Sequence, residues 1–253
     1  MRVLATAAAV GLALVLAAAD ARACGAAYPG GPMVCTMEDS PAYRKAHPPI
    51  RARIGISWSY TTTTILFGSA RRADLQRHVV FAGTELPLGN GYGLRFGAGG
   101  IVDGQLTPTH VPFRGSATFA PGVSAYIGIG KTIVDEGEIR PFVQLGLNIS
   151  GARAATRGPS PNEAPSFTAF DARGAATVGK TFGGWLVPYV GARAFGGPIY
   201  YHYAGAKVTG TDLYKYQVVG GVAVALRARG LDAFVEGVPL GERGLSAGLG
   251  VSF

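Results

Sequence analysis

The last nine residues, Leu245-Ser246-Ala247-Gly248-Leu249-Gly250-Val251-Ser252-Phe253, decide the fold class. Apolar residues occupy every second position, and glycine or serine fills the positions between them. Successive side chains of a β-strand point to opposite faces, so one face of this strand is apolar and the other carries only small groups. The stretch predicts a strand that separates an apolar environment from a more polar one.

The same alternation recurs from residue 51 onward. The apolar faces comprise Ile54, Ile56, Trp58 and Tyr60; Tyr92, Leu94 and Phe96; Val123, Ala125, Ile127 and Ile129; Val143, Leu145, Leu147 and Ile149; Phe170, Ala172, Ala176 and Val178; Tyr214, Tyr216, Val218, Val222, Val224 and Leu226; and Leu231, Ala233 and Val235. Residues 77–87 and 186–199 alternate poorly but are needed to pair their neighbours. With them the total is about ten strands, and eight or twelve remain open.

Composition supports a strand-rich membrane protein. The chain has 253 residues, of which 39 are glycine, 48% are hydrophobic and only 15% are charged, against about 25% in a typical globular protein. This hydrophobicity excludes a disordered chain. After residue 23 no apolar run approaches the roughly 18 residues of a transmembrane helix. The net charge of +8 is scattered, without a basic helix or aromatic binding module, so we expect no nucleic-acid partner.

The links between strands differ in length. Tight turns are predicted at residues 88–91, 135–138, 182–184 and 229–230, and long links at 67–76, 105–115, 153–166 and 200–212. The final link, 241–243, is short. Tight turns on one side and long loops on the other are typical of strands that cross a membrane. Residues 51–253 are therefore predicted to form an all-β, closed, up-and-down antiparallel transmembrane β-barrel.

Only 15% of the residues are charged, which is too few to cover a water-facing outer surface. We therefore expect the aliphatic face to point to lipid and the polar face into the lumen. We expect the inward set to form a buried polar network or to line a narrow, weakly anion-preferring pore, for which the Gly/Ser face of the last strand leaves room. This set is Arg53, Arg95, Gln144, Asn148, Asp171, Arg173, Arg193, Lys215, Asp232 and Glu236. Aromatic residues near strand ends are predicted to form an interfacial girdle: Trp58, Tyr60, Tyr92, Phe142, Tyr214, Tyr216 and Phe253.

The first 23 residues have the layout of a secretory signal peptide: Arg2, an apolar run from Val3 to Ala19, and a cleavage site after Ala23. Residues 24–50 are then a proline-rich periplasmic leader. In an oxidising compartment its two cysteines, Cys24 and Cys35, are expected to form a disulfide. Acylation of Cys24 stays open as an alternative.

With its signal peptide, alternating strands and terminal Phe253, the sequence resembles the small outer-membrane β-barrel proteins of Gram-negative bacteria, of the OmpA and OmpX type. The resemblance covers roughly residues 51–253. It implies location in the outer membrane and insertion by the barrel-assembly machinery, with Leu249, Val251 and Phe253 as the assembly signal. It implies no particular function.

Two functions are compatible with such a barrel. The first is a non-catalytic structural, surface-interaction or narrow-pore role, as a monomer without cofactor or metal. Outer-membrane lipids and lipopolysaccharide would be its neighbours, with phosphate contacts from Arg71, Arg72, Arg77, Arg153 and Arg157. The alternative is a lipid A deacylase or acyltransferase using a rim histidine, for which His78, His110 and His202 are the candidates.

Overall fold

A computed structural model describes residues 52–68, 71–109, 115–157, 166–203, 206–226 and 230–253. They form one antiparallel sheet of 13 strands: β1 (Arg53–Phe67), β2 (Arg71–Gly89), β3 (Tyr92–Pro108), β4 (Ala117–Phe119), β5 (Gly122–Val134), β6 (Phe142–Arg157), β7 (Ser166–Gly179), β8 (Leu186–Gly196), β9 (Ile199–Tyr203), β10 (Ala206–Asp212), β11 (Tyr216–Leu226), β12 (Leu231–Gly241) and β13 (Arg243–Ser252). None of the described helices is long and apolar enough to cross a membrane. The predicted signal peptide, leader and Cys24–Cys35 pair lie outside the described residues.

The sheet closes because β1 pairs with β13, from Arg53 opposite Ser252 to Thr62 opposite Arg243. Around the end of the barrel that holds Arg53, here called the lower end, the ring has ten strands. Their order is β1, β2, β3, β5, β6, β7, β8, β11, β12 and β13. The closed, up-and-down antiparallel barrel of about ten strands predicted from the sequence is confirmed.

The upper end of the barrel is narrower. The β12–β13 hairpin turns at Glu242, partway up the wall, and β10 takes its place beside β1. The β9–β10 hairpin then bridges β7 and β1, while β4 bridges β3 and β6. The upper ring consequently has eight strands: β1, β2, β3, β4, β6, β7, β9 and β10. A ring of this size is filled by its own side chains.

The predicted long links at the upper end are largely strand. β1 continues to Phe67 and β2 starts at Arg71, so only residues 68–70 of the predicted loop at 67–76 lie outside these strands. The links at 105–115 and 153–166 are shortened by β3, β6 and β7, and 200–212 holds the β9–β10 hairpin. The prediction failed because most apolar residues change sides there: Ile65, Phe67 and Leu75 point inward, whereas Thr64, Asp74 and Gln76 point outward.

Candidate functional site

The lower two thirds of the barrel carry an apolar outer band. On β6 the outward residues are Val143, Leu145, Leu147 and Ile149, and on β5 they are Val123, Ala125, Ile127 and Ile129. Ile127 is 55% exposed and Leu147 is 54% exposed, although both are large and aliphatic. Such a continuous exposed apolar surface suits lipid rather than water.

The upper limit of the band is visible on β1 and β2. Trp58 and Tyr60 point outward, and both rings contact the His78 ring, at centroid distances of 5.8 and 4.8 Å. Above them the outward residues of β1 are Thr62 and Thr64. An aromatic layer followed by polar residues is the pattern of a membrane–water interface. The strands therefore continue past the membrane at the upper end.

Inside the barrel, the lower end is occupied by ion pairs. Arg53 donates to both carboxylate oxygens of Asp232, with Nε at 2.8 Å from Oδ2. On the neighbouring strands, Arg95 Nη2 lies 3.1 Å from Glu85 Oε1. All four side chains are buried. A buried charge is tolerated when it is paired in this way. Arg53–Asp232 joins β1 to β12 past β13, and Arg95–Glu85 joins the adjacent strands β2 and β3.

The middle of the lumen is closed by a second group. Arg193 Nη2 lies 2.7 Å from Glu236 Oε2, and the Tyr189 hydroxyl donates to the same oxygen at 3.1 Å. Glu236 is fully buried. β8 and β12 are separated by β11 in the ring, and Tyr189 reaches Glu236 over Gly221 of β11, so these contacts run along the inner wall across one intervening strand.

The third group centres on Arg173. Its guanidinium contacts Asp171 Oδ2 at 3.1 Å, Gln217 Oε1 at 3.0 Å and Glu242 Oε2 at 3.3 Å. Gln217 also donates to Glu242 at 2.5 Å, and Arg77 Nη2 lies 3.6 Å from Glu242 Oε1. The turn between β12 and β13 thus places a carboxylate inside the barrel, where it binds two arginines.

A cavity of about 40 Å³ lies above Arg173. Polar groups of Arg77, Asp171, Asp212 and Glu242 line one side of it, and apolar side chains line the other. Asp212 belongs to β10, whose exposed residues Lys207 and Thr209 place it above the apolar band. Burial raises the pKa of the Asp212 carboxyl to about 6; the Glu242 charge adds to this shift, and Arg77 opposes it.

An apolar cluster lines the cavity and continues above it to the upper end of the barrel. Phe119 and Phe167 meet edge to face with centroids 5.1 Å apart, and Phe67 lies 6.2 Å from Tyr201. The other buried members include Ile65, Leu75, Val79, Phe81, Ile101, Leu106, Ala154 and Ile199. We call this cluster the upper plug. Together with the ion pairs, the upper plug places buried side chains along the height of the interior that the described strands enclose.

Inward-facing glycines provide the space for these side chains. A Cβ on Gly248 would lie 2.4 Å from the Phe234 ring, and one on Gly250 would lie 2.0 Å from Arg53 Nη2. The small inner face of β13 was expected to leave room for a passage. In the structure that room is taken by Phe234 and Arg53, so the expectation is wrong.

Most residues predicted for the lumen lie inside the barrel. Gln144 and Asn148 are buried on the inner face of β6, and the charged members form the three groups described above. Lys215 differs: it is exposed, between β10 and β11. The strand was predicted to continue through this position, whereas the structure has a break from Leu213 to Lys215.

Two further expectations need correction. Arg77, predicted to contact lipopolysaccharide, points inward to Thr61 and Glu242, whereas Arg71, Arg72, Arg153 and Arg157 are exposed. Phe142, predicted for the interfacial girdle, is fully buried in the lumen beside Val187 and Phe234. Both errors arise from reading exposure without the strand register, which fixes the face to which each side chain belongs.

Sequence reasoning missed Glu85, Tyr189, Gln217 and Glu242 as members of the network. Glu85 and Tyr189 belong to the weakly alternating segments, and Glu242 was placed in the short link at 241–243. The two acidic residues could have been suspected from the predicted inward set, in which cations outnumber anions. Because unpaired buried charge is costly, such an excess indicates that further acids face inward.

The candidate histidines do not form a hydrolase site among the described residues. His78 packs against Trp58 and Tyr60 on the outer surface, and His202 is exposed on β9. His110 lies outside the described residues. Within the described ranges, no group of three His, Cys, Asp or Glu residues could hold a metal ion.

No protein-family model and no curated protein matches the chain. Three solved structures resemble it in outline. The translocator domain of the autotransporter NalP from Neisseria meningitidis has 12% identity, 82% of this chain covered, 90% of that chain and a TM-score of 0.46. The transport unit of the autotransporter AIDA-I from Escherichia coli has 11% identity, with 82% of this chain and 91% of that chain covered and a TM-score of 0.47. The outer membrane protease OmpT from Escherichia coli has 9% identity, with 82% of this chain and 99% of that chain covered and a TM-score of 0.46. At these scores the likeness assigns neither an activity nor a site to this chain.

Proposed function

We propose that the chain is a closed, non-catalytic outer-membrane barrel that acts through the surface of its upper end rather than through its lumen. The single observation that carries this proposal is the filled interior. Ion pairs from Arg53–Asp232 to Arg173–Glu242, together with the upper plug, occupy it with buried side chains. A continuous aqueous path would require all of these contacts to separate.

The upper end supports a role at the surface. Above the Trp58 and Tyr60 layer, the strands keep pairing and enclose an apolar core, while the outward side chains of β1 and β2 are polar except for Leu66. This arrangement is that of a small water-facing barrel built on top of a lipid-facing one. It holds the β9–β10 hairpin and the links of the upper end on a rigid base, which is how loop surfaces are usually positioned for recognition.

Conductance in planar bilayers tests the proposal. The refolded wild-type protein should be electrically silent. A variant that empties the lumen at two levels, Arg173→Ala and Glu242→Ala combined with Phe119→Ala and Phe167→Ala, should show discrete conductance steps. The matched control removes apolar volume from the outer face instead, with Ile127→Ala and Leu147→Ala, and should stay silent.

Heat-modifiable mobility on a gel verifies that each variant has refolded. Discrete conductance steps from the wild-type protein would contradict the proposal and favour the narrow pore. A folded lumen variant that remains silent would also contradict it, because the named contacts would then not be the barrier.

A further inference from the structure

A cationic patch lies on the outer surface where the β12–β13 hairpin ends. Arg243, the first residue of β13, is opposite Thr62 on β1 in the strand register. On the other side of the turn, the Glu242 backbone N–H donates to the Tyr216 carbonyl at 3.3 Å, which places Lys215 and Tyr216 beside the hairpin end. We call Lys215, Tyr216, Arg243 and Thr62 the lateral patch.

Both cations of the lateral patch are exposed and free of acidic partners. Within the described part of the chain, neither Lys215 nor Arg243 has a carboxylate oxygen within 4.0 Å. The adjacent Glu242 points inward and binds Arg173 and Arg77. Arg243 and Lys215 therefore place positive charge on the outer surface at two points beside the hairpin end, with Lys215 Cδ 3.9 Å from the Cβ position of Gly196 on β8, while Glu242 is buried in the lumen.

The patch sits at the upper edge of the apolar band. Directly below Arg243 on the same face of β13 is Leu245, which is 45% exposed, and Tyr216 is 52% exposed. Tyr60 lies opposite Leu245, and its hydroxyl accepts a hydrogen bond from Thr62 at 3.0 Å. Cations, hydroxyls and aromatic rings thus meet at the depth where lipid headgroups begin.

From this juxtaposition we propose that the lateral patch binds the phosphorylated headgroup of lipid A in the outer leaflet, with Lys215 and Arg243 as its charge partners. The proposal rests on the outer-membrane location proposed above. Arginine offers parallel N–H donors that match a phosphate, and lysine adds a second point charge. A phosphorylated lipid supplies the anion that the patch lacks, and acyl chains that can cover Leu245 and Tyr216.

The other exposed arginines are less well placed. Arg72 is opposite Leu66, four residues beyond Thr62 along β1, and so lies farther above the band. Arg153 lies at the band edge on β6, across the barrel from β13, where its register neighbours are Val123 and Thr168. Neither residue opposite Arg153 on the adjacent strands is a cation or a tyrosine. Arg153 and Arg157 therefore provide a matched control with the same charge change.

The test measures the midpoint of thermal unfolding in detergent, followed by heat-modifiable gel mobility, with and without added lipid. Bis-phosphorylated lipid A should raise the midpoint for the wild type and for the Arg153→Ala/Arg157→Ala control. It should raise the midpoint much less for Lys215→Ala/Arg243→Ala. Arg243→Lys alone should keep part of the effect, because the charge remains, and added salt should weaken the effect in the wild type.

Two further lipids define the ligand. Dephosphorylated lipid A should give no shift, and phosphatidylglycerol should give a smaller one. Equal shifts with phosphatidylglycerol, or equal shifts in the two double variants, would overturn the proposal. If the outer-membrane barrel assignment itself were wrong, the protein would show no heat-modifiable form with or without lipid. This result is distinguishable from a failure of lipid A binding.

Discussion

At the residue scale, the interior is organised by large side chains that lie over glycines of adjacent strands. Tyr126 on β5 covers both Gly97 and Gly83, since a Cβ at either glycine would lie within 3 Å of the Tyr126 side chain. Tyr189 covers Gly221 in the same manner. The many glycines of this chain are therefore part of the packing of a narrow barrel, where two full side chains cannot share one position.

Gly97→Ala should destabilise the barrel by about 1–3 kcal/mol, the usual cost of overpacking. The new methyl would lie 2.6 Å from the Ala82 carbonyl oxygen and 2.7 Å from the Tyr126 ring, and the backbone cannot move away cheaply. Gly174→Ala is the control, because nothing lies within 4 Å of its Cβ position. Urea unfolding in detergent micelles measures both variants, and equal stability of the two would contradict this packing.

The Asp212 carboxyl should make the free energy of unfolding depend on pH. Its pKa is raised from 3.8 to about 6, so the folded state binds its proton more tightly than the unfolded state does. The stability that this proton provides is complete below about pH 4 and is lost as the pH rises to about 6. Two pKa units correspond to roughly 3 kcal/mol.

Asp212→Asn keeps the size of the side chain and removes the titration. The variant should therefore be more stable than the wild type at pH 7, and the difference should vanish near pH 4. Urea unfolding of both proteins at a series of pH values provides the comparison. A difference that does not change between pH 4 and pH 7 would show that Asp212 does not titrate in this range.

The sequence predicted which residues face the lumen wherever polar and apolar residues alternate along a whole strand. Asp171 and Arg173 on β7, and Asp232 and Glu236 on β12, were placed inside by alternation alone, and they lie there. The partners of these residues could not be predicted. Contacts such as Arg193 with Glu236 join strands that are not neighbours, so they depend on the diameter of the barrel and not on any local pattern.

At the scale of single elements, the change of apolar face along β1 separates the two halves of the molecule. Up to Tyr60 the large apolar residues point outward, whereas Ile65 and Phe67 point inward within the same strand, and only Leu66 of this last segment is apolar and outward. A lipid-facing barrel and a water-facing barrel require opposite patterns. Strands were predicted on the assumption that apolar residues always face outward. Where the apolar residues face inward, this assumption predicts loops instead of strands.

The β9–β10 hairpin should open more readily than the lower strands. β9 pairs with β7 from Phe167 to Ala169, and β10 pairs with β1 from Ile65 to Phe67, so each contact spans only three residues. β6, in contrast, pairs with β7 from Phe142 to Ala155. Short pairing near solvent gives low local stability.

Hydrogen exchange followed by mass spectrometry measures this difference. Amides of β9 and β10 should exchange well before those of residues 143–151 in β6, in the same detergent-solubilised sample. Simultaneous exchange of the two regions would mean that the barrel opens as one cooperative unit. The control is β4, which is also short and should exchange early.

At the scale of the whole molecule, the sequence predicted a ten-stranded closed ring but not the narrowing above it. The ring follows from alternation and from tight turns such as Asn90–Gly91, which are local signals. The eight-stranded upper ring depends on β10 crossing to pair with β1 above the short β12–β13 hairpin. No local signal marks that exchange of partners, since β10 and β1 are distant in the chain.

The central claim is that the outer face of the barrel meets lipid and that its lumen is closed to water. One pair of neighbours on β5 tests both parts: Ser124 is buried and lines the cavity, whereas Ala125 is exposed on the apolar band. Each is replaced by cysteine, Ser124→Cys and Ala125→Cys, in a background where Cys24 and Cys35 are serine. The measurement is the rate of modification by a charged, water-soluble maleimide in proteins reconstituted into lipid vesicles.

The closed barrel predicts slow modification at both positions in vesicles. Position 124 should stay protected when lipid is replaced by a short-chain detergent, whereas position 125 should become reactive. Rapid modification of position 124 in vesicles would show that the lumen is open to water. Rapid modification of position 125 in vesicles would show that the apolar band does not face lipid, and either result would contradict the central claim.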